Sequence, residues 1–294
     1  MPTRRAFLLG GAATAGVVVA AGVGVEQGVL PGRPFVQARL GLNGADGVIP
    51  RDVEPVPMVT DSFASAAREQ DVAWALWQPA GTPAELPVVI ALHGLGQDLD
   101  YLDQTLGLGA YLAQAIDDGA PPFAIAAPEG GTSYWHPHDG DDAGAMVTDE
   151  LLPILDDRGF DIGRIGLLGW SMGGYGALRL GGVLGSEQVS ALVASSPAIW
   201  TDADDASSSG FDDAAEYEEY TVVGHQADLA GIPVRIDVGT GDPFYRAVQD
   251  YVQAFPREAD VTSTFEPGAH NAGYWRRMLP AQLAFLGGRV PSTT

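Results

Sequence analysis

Residues 165–176 read Ile-Gly-Leu-Leu-Gly-Trp-Ser-Met-Gly-Gly-Tyr-Gly, with Gly169-Trp170-Ser171-Met172-Gly173 at their centre. An apolar run ends at the first of these five residues and a helical pattern begins after the serine. This is the layout of a strand that turns sharply into a helix with a serine at the apex. Glycines two residues to either side let strand and helix pass without Cβ clashes. With 39 glycines in 294 residues, the pentapeptide carries little weight by itself. Its surroundings decide its meaning.

Working outward, Arg164–Gly169 reads as the strand and Gly173–Leu184 as the helix that follows. Short apolar runs recur on both sides: Val72–Gln78, Pro87–His93, Phe123–Ala127, Val189–Ala194, Val234–Val238 and Val261–Phe265. Helical patterns at Tyr101–Ile116 (broken at Gly107 and Gly109), Thr148–Leu155, Pro243–Phe255 and Gly273–Leu286 fall between or after them. Continuous apolar runs suit strands buried on both faces. Their alternation with helices predicts an α/β fold, a mainly parallel central sheet flanked by helices on both faces.

A serine hydroxyl is a poor nucleophile at neutral pH and needs a base, itself oriented by a third group. On such a sheet the chain order is serine, acid, histidine, each in a loop after a strand. Asp242 follows the strand Val234–Val238, and His270 follows the strand Val261–Phe265. Asp237 competes for the acid but sits within its strand. Of the five histidines, only His270 has the right rank in the chain. An oxyanion formed at Ser171 needs two backbone N–H donors. Met172, next after the serine, is one; Leu95, in His93-Gly94-Leu95-Gly96-Gln97, is the other, with Gly94 second.

Residues 166–178, His93-Gly94-Leu95, Asp242-Pro243-Phe244 and His270-Asn271-Ala272-Gly273-Tyr274-Trp275 together resemble the esterase D-like group of α/β-hydrolases. That group contains secreted mycolyltransferases and feruloyl and acetylxylan esterases. The likeness spans roughly residues 70–289. It implies an α/β-hydrolase fold, a Ser171–His270–Asp242 triad, a Leu95/Met172 oxyanion hole, and a small-molecule, carbohydrate or lipid ester as substrate. Acyl transfer to an alcohol would use the same residues, and a non-catalytic binding protein on this scaffold is the rival class.

Ser133–Asp142 packs two aromatics, two histidines and three carboxylates into ten residues. A metal site is one reading, but the spacing matches neither a zinc nor a calcium pattern. The expectation is a substrate pocket lined by Tyr134, Trp135 and His136, with Trp170 beside the nucleophile, and no metal or cofactor.

The remaining segments bear on location. Thr3-Arg4-Arg5-Ala6-Phe7-Leu8 precedes an uncharged stretch to Val25 and resembles a twin-arginine export signal, so 1–30 is expected to be a signal peptide or, uncleaved, an anchor. A secreted or cell-envelope protein is implied, touching membrane only through that segment. Residues 31–60, with five prolines, read as an extended lead-in, and 61–294 as one domain with an acidic excursion at 201–219. The net charge of −23 excludes the positive footprint that nucleic acid requires. No cysteine is present, which removes disulfides and thiolate chemistry.

Overall fold

From the N-terminal side the elements run α1 (Arg33–Leu40), β1 (Met58–Ser65), β2 (Gln70–Trp77), β3 (Pro87–Leu92), α2 (Leu108–Asp117), β4 (Ala124–Pro128) and α3 (Leu152–Asp157). Then come β5 (Asp161–Trp170), α4 (Met172–Gln188), β6 (Val189–Ser195), α5 (Ala214–Tyr220), β7 (Val234–Gly239), α6 (Tyr245–Gln253), β8 (Val261–Glu266) and α7 (Ala272–Gly287). The structure, a computed structural model, describes residues 32–82 and 85–290. The expected export signal therefore lies outside the described residues. Among the described residues, no helix is long and apolar enough to cross a membrane.

These eight strands form one sheet in the order β1-β2-β4-β3-β5-β6-β7-β8. From β4 to β8 the pairing is parallel, and β2 is antiparallel to both its neighbours. This is the expected α/β-hydrolase fold. Strands β3, β4 and β6 are buried at every position, as their unbroken apolar runs require. Two apolar layers cover the sheet. Leu108, Leu112, Leu279, Leu283 and Leu286 bring α2 and α7 onto one face. Leu152, Leu155, Leu178, Leu180, Val248 and Tyr251 bring α3, α4 and α6 onto the other. Each fully buried aliphatic side chain contributes about 1.5–3 kcal/mol, which ties each helix to its face.

Register sets the site. Leu92 pairs with Gly169, and Trp170 pairs with Ser195. Glu266 pairs with Gly239. The loops after β3, β5, β6, β7 and β8 therefore emerge along one edge of the sheet.

The lead-in differs from the extended segment expected at 31–60. Arg33–Leu40 is a helix with a proline in its first turn and left-handed glycines, Gly32 and Gly41, at its two ends. Pro34 is tolerated there because the first helical N–H groups have no intrahelical partner anyway. The polar-rich segment Met58–Ser65 is an edge strand, paired on one side only.

Candidate active site

Ser171 stands between β5 and α4 with φ 56° and ψ −118°, a left-handed backbone for a residue with a side chain. Three hydrogen bonds hold it there. Its N–H donates to Ser195 O at 3.0 Å, and its carbonyl accepts from Tyr175 N at 3.1 Å and Ala198 N at 2.9 Å. The flanking glycines are steric necessities. A Cβ on Gly169 would stand 1.9 Å from Gly173 O, and one on Gly173 would stand 1.9 Å from Leu92 O. The cost of such strain, on the order of 1–3 kcal/mol, is met by the packing around the turn.

His270 follows β8 and directly precedes the Asn271 cap of α7, whose side chain accepts from Tyr274 N at 2.9 Å. Its Nε2 lies 2.8 Å from Ser171 Oγ, and its Nδ1 lies 2.8 Å from Asp242 Oδ2. An ionised carboxylate only accepts, so Nδ1 carries the proton and Nε2 presents its lone pair to the serine hydroxyl. Asp242 is sealed from solvent, and its other oxygen accepts from Phe244 N at 2.9 Å. Two rings back the imidazole, Trp275 edge-on at 5.2 Å and Phe244 at 5.3 Å. Asp237, the competing acid, is engaged elsewhere: Arg235 Nε and Gln282 Nε2 donate to its Oδ2 at 2.9 and 2.8 Å.

The loop after β3, which carries Leu95, leaves the sheet at the same edge as Ser171. Gly94 N–H is spent on Gln97 Oε1 at 2.9 Å, whereas Leu95 N–H and Met172 N–H enter none of the hydrogen bonds among the described residues. Free amides are what an oxyanion site needs. His93 holds this loop in shape. Its Nε2 accepts from Gly130 N at 2.8 Å, leaving Nδ1–H to donate to Gly94 O at 2.9 Å. Burial pushes His93 below the usual imidazole range, so it stays neutral in that role.

The expected pocket lining does not hold. Trp135, His136 and Trp170 are fully buried and Tyr134 nearly so, which leaves no surface for a ligand. Trp170 packs into the α2/α7 layer. Trp135 donates to His93 O at 3.3 Å and fills the space over Gly130 and Gly176. Tyr134 leans on Tyr175, Trp200 and Phe211. His136 stacks on Tyr220 with centroids 4.7 Å apart, and its two nitrogens meet Gly210 O at 2.7 Å and Tyr175 Oη at 3.0 Å. Burial pushes its pKa down to about 4. The physical reason is area. Large rings beside glycines gain more by filling the interior than by facing water.

These rings are instead the seat of the acidic segment. Within Thr201–Tyr220, Phe211 and Tyr217 are buried, Asp213 caps α5, and Tyr217 Oη donates to Trp200 O at 2.6 Å. His138 pins the segment by Glu216 Oε1 at 2.8 Å. Its Nε2 faces Asp139 and Asp212 at 3.9 and 4.0 Å. Burial alone would lower the His138 pKa, but the Glu216 bond and the charges of Glu216, Asp212 and Asp139 hold it above the usual value. Together with His136, these groups are the candidate cation ligands among the described residues.

Sequence reasoning missed the half-buried ring Phe244, which joins His270 to Trp200 (centroids 5.3 Å apart in each pair). Its position two residues past Asp242 was the available signal. Phe244 and Trp200, both partly buried, give the site an apolar border beside His270.

A family model described as "Putative esterase" matches residues 65–286. Among solved structures, a ferulic acid esterase is 21% identical with a TM-score of 0.65, over 79% of this chain and 98% of that one. An S-formylglutathione hydrolase from Agrobacterium tumefaciens is 17% identical with a TM-score of 0.65, over 80% and 95%. The fluorophosphonate-binding serine hydrolase F of Staphylococcus aureus is 16% identical with a TM-score of 0.65, over 80% and 99%. At these identities the likeness speaks for the fold. No curated protein sequence matches the chain.

Proposed function

The chain belongs to the putative esterase family, carboxylic ester hydrolases of the α/β-hydrolase fold, and we propose that it acts as an exported serine esterase through an acyl-enzyme. One observation carries this reading. A single imidazole touches a strained serine and a buried carboxylate, 2.8 Å on each side, although the three residues lie 99 and 28 positions apart.

The chemistry follows from that geometry. Ser171 Oγ attacks the ester carbonyl as His270 Nε2 takes its proton. The carbonyl oxygen becomes an oxyanion facing the free N–H groups of Leu95 and Met172; losing one such donor typically costs about 3–4 kcal/mol of transition-state stabilisation. Asp242 steadies the imidazolium. His270 returns the proton to the departing alcohol oxygen, and the C–O ester bond breaks to leave the acyl group on Ser171. Water attacks the acyl carbonyl, giving its proton to Nε2; the bond between the acyl carbon and Ser171 Oγ then breaks, Oγ takes the proton back from Nε2, and the acid leaves. The apolar border of Phe244 and Trp200 faces the acyl or alcohol portion. Arg4-Arg5 and the uncharged stretch behind them support export.

Expression of the full chain in a host with twin-arginine transport tests both parts. The exported fraction is expected to hydrolyse p-nitrophenyl acetate with a rapid release of one p-nitrophenol per enzyme before steady state. An Arg4→Lys, Arg5→Lys variant is expected to keep that burst but remain inside the cell. A folded protein with no burst and no turnover on any p-nitrophenyl ester contradicts the esterase reading; unaltered delivery of the double variant contradicts the export reading.

A further inference from the structure

The segment 32–51 precedes the sheet and lies outside residues 65–286, which the family model matches. It is nevertheless laid across the loops that carry Asp242 and His270. Gln37 is the one buried side chain of α1, and its Oε1 accepts from Thr240 Oγ1 at 3.1 Å. Gly241 lies so close under the segment that a Cβ there would stand 2.3 Å from Asn43 Oδ1 and 2.9 Å from Gln37 Oε1. On the histidine side, Gly47 N–H donates to Gly273 O at 2.8 Å. Arg277 ties the two sides together. It donates to Asn43 O at 3.5 Å, to Ala45 O and to Pro267 O, and its Nε reaches Glu266 Oε1 at 2.8 Å. The two loops are also joined to each other, Thr240 N to Glu266 O at 2.8 Å and Gly241 N to Gly268 O at 2.7 Å. Contacts from the segment thus reach residues 240–241, just before the acid, and residues 267 and 273, which flank the base.

We propose that residues 32–51 form a brace that sets the distance between Asp242 and His270, with Gln37 as its positioning residue. The inference rests on the serine esterase reading. The contact of Gln37 that bears on the acid is to Thr240 Oγ1, two residues before Asp242, and it is through this bond that it acts. A proton relay tolerates little displacement, since misplacement by about 1 Å can cost on the order of 100-fold in rate. Other bonds of the acid loop, from Thr240 N and Gly241 N, remain when this anchor is lost, so the expected shift of the carboxylate is smaller than that. The defect appears in kcat, because Gln37 lies behind the acid loop and takes no part in binding the ester.

The test uses the full chain. Gln37→Leu removes the acceptor at nearly constant volume, Thr240→Val removes the donor, and Thr240→Ser keeps it. Expected are a roughly tenfold fall in kcat with KM unchanged for Gln37→Leu and for Thr240→Val, and no further fall when the two are combined. Thr240→Ser retains the wild-type kcat. Amide exchange at Thr240 and Gly241 is expected to quicken in Gln37→Leu whether or not an ester is turned over. Wild-type kcat and unaltered exchange in Gln37→Leu overturn the brace, as does a kcat loss that Thr240→Ser shares equally. If Gln37→Leu does not fold, Thr240→Val carries the same test from the other side. An inactive wild type would instead sink the esterase reading, and the exchange result would still decide the brace.

Discussion

At the scale of single residues, side-chain chemistry and chain position were enough to bring Ser171, Asp242 and His270 forward. Serine, acid and base each follow a strand, and the parallel register delivers those loops to one edge. What the residues of 133–138 do was not legible. A loop aromatic can turn inward or outward, and the deciding feature is space left by distant glycines such as Gly176, whose Cβ would stand 2.6 Å from Trp135 Cδ1. The two kinds of ring have opposite mutational signatures. Trp135→Ala is expected to cost about 3–5 kcal/mol of stability, read from the urea midpoint, with KM for a p-nitrophenyl ester unchanged. Phe244→Ala is expected to raise KM severalfold while stability falls by no more than about 2 kcal/mol, because its ring is only half buried. A raised KM in Trp135→Ala would return that ring to the binding surface.

At the scale of elements, the strands were the most readable part, since a strand buried on both faces leaves an unbroken apolar run. Elements that lean on others were the least. The prolines of 31–57 concealed α1 and the edge strand β1. The carboxylates of 202–219 concealed α5, whose one buried side chain, Tyr217, is outnumbered with its neighbour Phe211 by the segment's charges. That acidic segment is expected to be held by charge at His138, which is bonded to Glu216 Oε1. Burial opposes protonation there, but Glu216, Asp212 and Asp139 outweigh it, so the folded pKa is raised; Arg179 and the neutral His136 complete the ionisable surroundings of the neighbouring rings. A raised folded pKa stabilises the anchored state fully below the unfolded value of about 6.5 and loses that contribution as pH climbs through the folded value. Amide exchange of residues 203–220, corrected for intrinsic rates, is therefore expected to accelerate as pH climbs through the raised His138 value. Glu216→Gln is expected to flatten this dependence. Exchange that slows with rising pH, or a variant that titrates like the wild type, contradicts the anchor.

At the scale of the whole molecule, an acidic chain with no cysteine has no thiol to offer as a nucleophile, so the proposed chemistry falls to a serine hydroxyl. The fold places the proposed triad by topology: Ser171 follows β5, Asp242 follows β7 and His270 follows β8, while the segment ahead of the sheet packs on the loops of the last two. The central claim is that Ser171 is the nucleophile and that His270 activates it. It is tested most directly by the mass of the intact protein after exposure to a fluorophosphonate, with the adduct located by peptide fragmentation. One adduct per chain is expected, on Ser171, absent in Ser171→Ala and formed at least 1,000-fold more slowly in His270→Ala. A folded wild type that takes up no adduct, or one that carries it on another residue, contradicts the claim.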